Sequence, residues 1–245
     1  MSPEPTINVF TARACAAPLL EAAKLFENQS GVKVQIGQCS RHCASANAEE
    51  AVGTVGGDDD FLQEIADAGI YDLAIAGAEY LLDDGEVRGI IAKGRRRLIA
   101  LRRSAILVPS RNPARIARLK DLARPGVRIA VSVLDCLKGV WEDVCARAGL
   151  LAEVGRNISF YANGCISIVE AVAQEKVDAA FGWTAFEHLG EGRIKVIPVP
   201  AKWSISRATS IGMLARAGNT RDAAGFMDFL TTPEARAIYR KYGWV

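Results

Sequence analysis

Short apolar runs of period two alternate with longer stretches of period 3.6 along most of this chain. That alternation restricts the fold to the α/β class. Strands are expected at 7–10, 32–36, 72–76, 97–101, 105–109, 127–133, 158–161, 177–181, 193–199 and 208–214. Helices are expected at 17–28, 61–68, 139–148, 166–174, 223–230 and 233–242, with short ones at 45–52 and 119–124. In the first helix Leu20, Ala23, Leu25 and Phe26 form the apolar stripe, and Gly31 suits a left-handed cap at its end. A doubly wound α/β architecture follows. Two such series in 245 residues point to two lobes rather than one sheet.

Charge and hydropathy exclude several roles. The net charge is +2, and no basic stripe interleaved with aromatics is present, so nucleic acid is not an expected partner. The basic runs Arg95-Arg96-Arg97 and Arg102-Arg103 read as a solvated face. Asp58-Asp59-Asp60 reads as a solvated helix start. No apolar run approaches the ~20 residues that span a bilayer, so membrane insertion is not expected. No basic segment followed by an apolar one precedes the first strand. As the sequence stands this implies a cytoplasmic location, and a periplasmic one if a leader has been trimmed.

The cysteines carry the chemical signal. Five of the six, Cys15, Cys39, Cys43, Cys136 and Cys165, follow strand-like runs. In an open α/β fold the loops at the carboxyl ends of the strands converge on one crevice. Thiols dispersed in sequence are therefore expected to gather in space, around a soft ligand. Cys145 is different: it shares a helix face with Val140, Trp141, Val144 and Ala148 and reads as core. Cys39 and Cys43 are spaced for a local disulfide in an oxidising compartment. His42 reads either as a metal ligand or as a solvent-facing loop residue, and His188 as a surface or capping residue.

The order of segments resembles the type II periplasmic solute-binding proteins, in particular their molybdate- and tungstate-binding branch. The stretches that carry the resemblance are Ile7-Asn-Val-Phe10, Phe26-Glu-Asn-Gln-Ser-Gly-Val-Lys-Val34, Tyr71-Asp-Leu-Ala-Ile75 and Val108-Pro-Ser-Arg-Asn-Pro-Ala114. They continue with residues 119–130, Val177-Asp-Ala-Ala-Phe181, Phe229-Leu-Thr-Thr-Pro-Glu-Ala235 and Tyr239-Arg-Lys-Tyr-Gly243. The resemblance implies a two-lobed fold with two crossover strands. Lobe one would hold 1–102 plus 206–245, and lobe two 103–205.

It also implies a non-enzymatic ligand-binding protein that closes like a hinge, with an ABC-transporter permease as partner if exported. The family's oxyanion sits among hydroxyls and backbone N–H groups. This chain places Arg13-Ala-Cys15, Gly37-Gln-Cys-Ser-Arg-His-Cys43, Asp135-Cys-Leu-Lys-Gly139 and Asn163-Gly-Cys165 in those four loops, with Trp183 on a further strand. The expectation is a sulfur-lined cleft in which Cys15, Cys39, Cys136 and Cys165 hold a [4Fe–4S] cluster or another thiophilic metal, with Cys43 as a substitute for Cys39. Arg13, Ser40, Arg41, Lys138 and Trp183 would line it. The alternative is an oxyanion-binding site for molybdate or tungstate that retains Ser40 and the helix N-termini.

Overall fold

The computed structural model describes residues 4–39 and 61–245. The expected helix at 45–52, the acidic run 58–60, Ser40, Arg41, His42 and Cys43 lie outside the described residues.

The first half of the fold is a sheet built from β1 (Thr6–Thr11), β2 (Lys33–Gln38) and β3 (Leu73–Ala76). β1 runs parallel to both β2 and β3. α1 (Ala16–Ser30) makes the crossover from β1 to β2 and ends at Gly31, whose φ of 73° closes the helix in the left-handed conformation. Its buried face is Ala16, Pro18, Leu19, Ala22, Ala23 and Phe26. Leu20, expected in that stripe, instead faces out. α2 (Phe61–Ala68) buries Phe61, Leu62 and Ile65. α3 (Glu79–Val87), unanticipated in the sequence, follows β3 directly.

The largest departure is β4 (Ile91–Pro109), a single 19-residue strand where two were expected. Arg102-Arg103-Ser104 does not break it, because Arg102 and Ser104 point inward and only Arg103 is exposed. β4 passes between two sheets. Its pairing with the antiparallel β9 (Ser206–Leu214) ends at Arg103↔Ser206, and its pairing with β7 (Ala179–Trp183) begins at Ser104↔Trp183. The Ser104 N–H donates to the Ile205 carbonyl, and the Ser104 hydroxyl accepts from the Ile205 N–H. The two crossing segments are thus stitched together at the passage. Both backbone groups of Leu101 pair with those of Val245, so the chain's last residue is fastened beside it.

The second half carries β5 (Ile129–Ser132), β6 (Ile158–Ala162) and β8 (Ile194–Pro198) with β4 and β7. β5 is parallel to β6 and β7, while β4 is antiparallel to β7 and β8. α4 (Val140–Ala148), α5 (Leu151–Gly155) and α6 (Cys165–Ala173) cover this sheet, and α7 (Thr220–Phe229) and α8 (Pro233–Lys241) return to the first. Cys145 is fully buried with Val140 and Val144, as its helix spacing implies. Among the described residues no helix is long and apolar enough to cross a membrane.

Candidate functional site

The carboxyl ends of β1, β3, β5 and β6 bring their loops to the passage crossed by β4. After β1, a 3-10 turn (Arg13–Cys15) leads into α1 and buries Cys15 completely. Burial raises the Cys15 thiol to about 11, against the pull of the Arg102 charge and a hydrogen bond with Thr209. It is therefore a neutral thiol near pH 7. Thr209 in turn accepts from the Trp244 indole at 2.9 Å.

After β5, a 3-10 turn (Asp135–Leu137) carries Cys136, which is 3% exposed. After β6, Gly164 at φ 97° turns the chain so that Cys165 is the first residue of α6. β5 and β6 are neighbouring parallel strands with Ser132 opposite Ala162. The Ser132 hydroxyl ties their two exits together by accepting from the Gly164 and Leu134 N–H groups, both at 3.3 Å. The Cys136 and Cys165 sulfurs consequently lie 3.2 Å apart. Cys136 is also the target of two N–H donors, Trp183 Nε1 at 3.3 Å and Arg102 Nη1 at 3.4 Å.

Arg102 is the centre of this arrangement. It is 1% exposed, its Nη2 donates to the Gly77 carbonyl, and its guanidinium carbon lies 5.1 Å from the Trp183 ring centroid. A side chain at Gly77 would crowd the guanidinium: a Cβ would sit 2.9 Å from Arg102 Nη2 and 3.3 Å from the Cys136 Cβ. Desolvation works against the guanidinium charge, but Cys136, Cys15 and Cys165 together outweigh it and hold the group above the ordinary arginine value. Its Nε is buried, and among the described residues it has no hydrogen-bond partner and no carboxylate pairs with the guanidinium. A buried cation in that state costs several kcal/mol unless a counter-charge arrives.

The sequence reading and the structure agree on some of these positions and differ on others. Cys15, Cys136, Cys165 and Trp183 meet around Arg102. Cys39, at the end of β2, is disulfide-bonded, so its sulfur is not the thiolate that a cluster needs. Among the described residues no group of three or more His, Cys, Asp or Glu side chains is disposed to hold a metal ion. Arg13 and Lys138 are exposed at the rim, Lys138 contributing its carbonyl to Arg207. Ser40, Arg41 and Cys43 lie outside the described residues.

His188 is half-buried rather than superficial, its ring 5.4 Å from Tyr242 and 5.9 Å from Trp244. Arg102 was missed because a basic pair usually marks a solvated face. The signal that would have found it is its place in strand alternation, in phase with Ala100, Ser104 and Ile106 and out of phase with Arg103.

Residues 7–245 match the family described as bacterial extracellular solute-binding protein. The chain belongs to that family. A comparison with curated protein sequences gives no match. Among solved structures the protein is similar to PEB3 of Campylobacter jejuni in its L-phospholactate-bound form. The TM-score is 0.78 at 20% identity, covering 97% of this chain and 98% of that one. It is similar also to the periplasmic molybdate-binding protein of Azotobacter vinelandii, with TM-score 0.74, 20% identity and 98% of each chain covered. A third is the sulfate-binding protein SubI of Mycobacterium tuberculosis, with TM-score 0.74 and 14% identity over 98% of this chain and 86% of that one. These likenesses carry the fold: this solute-binding protein has the mixed α/β, two-lobed, periplasmic-binding-protein architecture.

Proposed function

We propose that this solute-binding protein takes an oxyanion of the molybdate, tungstate or sulfate kind at the passage between its lobes, without chemical conversion. It would deliver that ligand to an ABC-transporter permease. The observation that carries the reading is Arg102: a fully buried cation with an unpartnered Nε and no carboxylate beside it among the described residues. Such a group is completed by an anion. The sulfur lining does not oppose this at Cys15, because a thiol raised to about 11 is neutral and adds no repulsion. The names of the similar structures, which cite L-phospholactate, molybdate and sulfate, point to the same class. Closure would follow from binding, since a ligand stabilises the conformation it contacts best.

A second reading, a [4Fe–4S] cluster or another thiophilic metal, draws its support from the 3.2 Å Cys136–Cys165 pair with Cys15 nearby. The disulfide at Cys39 counts against it. One purification separates the two. The protein, isolated without oxygen, is analysed for iron, sulfide, zinc, copper and molybdenum, and then titrated calorimetrically with molybdate, tungstate and sulfate. Saturable binding of one anion by metal-free protein supports the oxyanion reading. Stoichiometric iron and sulfide with no anion binding would replace it with the cluster.

A further inference from the structure

The sulfurs at the lobe-two wall have a geometry that anion binding does not call for. Cys136 and Cys165 are both thiols, 3.2 Å apart, and far closer to each other in space than their separation of 29 residues suggests. Their approach is built in. The neighbouring strands β5 and β6 place the two exits side by side, and the Ser132 hydroxyl fastens one exit to the other. The environments of the two sulfurs differ in a way that divides a reaction between them. Cys165 is partly exposed and begins α6, a nine-residue helix whose N-terminal N–H groups favour negative charge. Cys136 is buried and receives the Trp183 indole N–H and the Arg102 guanidinium. Two N–H donors directed at one sulfur, one of them cationic, form the kind of surroundings that support a thiolate.

We infer that Cys136 and Cys165 form a redox-active dithiol, which cycles to an intramolecular disulfide by exchange with a low-molecular-weight disulfide. In the first step the Cys165 sulfur attacks one sulfur of R–S–S–R. The S–S bond of the reagent breaks, the Cys165–S–S–R bond forms, and the first R–SH leaves carrying the Cys165 proton. In the second step the Cys136 thiolate, held by Arg102 and Trp183, attacks the Cys165 sulfur and expels the second thiolate. That thiolate takes up from solvent the proton Cys136 had released. In sum two protein thiols are oxidised by two electrons, and one R–S–S–R is reduced to two R–SH. The sulfurs need to close by only about 1 Å to reach disulfide bonding distance. The inference rests on the sulfur pair and the donors around it, and it is independent of which oxyanion the cleft takes.

The test equilibrates the full chain in glutathione buffers from fully reduced to fully oxidised. Thiols are then trapped by alkylation, and the peptides are mapped by mass spectrometry. A disulfide joining Cys136 to Cys165 is expected to populate as the buffer becomes oxidising and to vanish on return to reduced glutathione. In Cys136→Ser a glutathione adduct should accumulate on Cys165, because no second thiol resolves it. Cys165→Ser alters the partly exposed member of the pair, and its rate of thiol loss at Cys136 should fall at least tenfold. Cys145→Ser should leave the pairing unchanged. Recovery of both cysteines alkylated in the oxidising buffer would overturn the inference. So would a glutathione adduct on Cys165 that persists in the unsubstituted protein.

Discussion

Two walls of one passage handle sulfur differently. On the lobe-one side Cys15 is sealed under β9 and α8, hydrogen-bonded with Thr209, and raised to about 11 by burial. On the lobe-two side Cys136 is almost as deeply buried, yet it touches a second sulfur and accepts from Arg102 and Trp183. Depth alone makes a thiol inert, because a low-dielectric surrounding disfavours the thiolate. Directed donors and a neighbouring sulfur are what separate Cys136 from Cys15. Arg102 stands between them, and both sulfurs raise its affinity for its own proton.

The comparison predicts effects of graded size. Arg102→Gln removes the counter-charge shared by both walls, and calorimetry should record a loss of anion affinity of about 30-fold or more. Unchanged affinity would place the anion elsewhere.

The lobe-one wall should reveal itself in alkaline unfolding. A thiol raised in the folded state stabilises the protein fully below its unfolded value and loses that contribution as pH rises through the folded one. For Cys15 the window runs from pH 9 to about 11 and is worth roughly 2–3 kcal/mol. Urea denaturation of Cys15→Ser should show a shallower decline across that window. Cys145, raised to about 12 by burial and by Glu142, declines in the same direction and remains in the variant as an internal reference. An identical decline in both proteins would remove Cys15 from the account.

Oxidation acts on the other wall. Converting Cys136 to a disulfide weakens the sulfur acceptor that competes with the anion for Arg102, so anion affinity should rise by about tenfold, ~1.4 kcal/mol, over the reduced protein. A lower affinity on oxidation would mean that the Cys136 sulfur contacts the anion directly. The smallest effect belongs to Cys145→Ala, which trims a side chain packed in α4 away from the passage. It should cost about 1 kcal/mol of stability and leave affinity and disulfide pairing unchanged.

Much of the scaffold was legible in the sequence, and particular residues show why the rest was not. Period-two and period-3.6 runs located β1, α2, α4, α6 and the paired C-terminal helices to within a few residues, because each buries one face. The same runs split β4 at Arg102-Arg103-Ser104, since a polar triplet ordinarily ends a strand. Here the triplet continues as the passage between lobes, with its charge sheltered by Trp183 and Cys136.

Cysteine position after strands identified the convergence of Cys15, Cys136 and Cys165, which depends only on parallel topology. Spacing offered Cys39 both as a metal ligand and as half of a local disulfide, and the choice between them depends on redox chemistry that spacing does not encode; the structure has it disulfide-bonded. Arg102 was hidden for a related reason. Its role comes from which neighbours surround it, and those neighbours arrive from Gly77, Cys136 and Trp183, each far away in the chain.

The central claim, that Arg102 is completed by a bound oxyanion, is tested most directly by anomalous diffraction from crystals grown with tungstate. The account predicts a single strong tungsten peak at the passage, with a tungstate oxygen accepting from Arg102 Nε. A tungsten peak at another place, with Arg102 Nε still unpartnered in the passage, would contradict it.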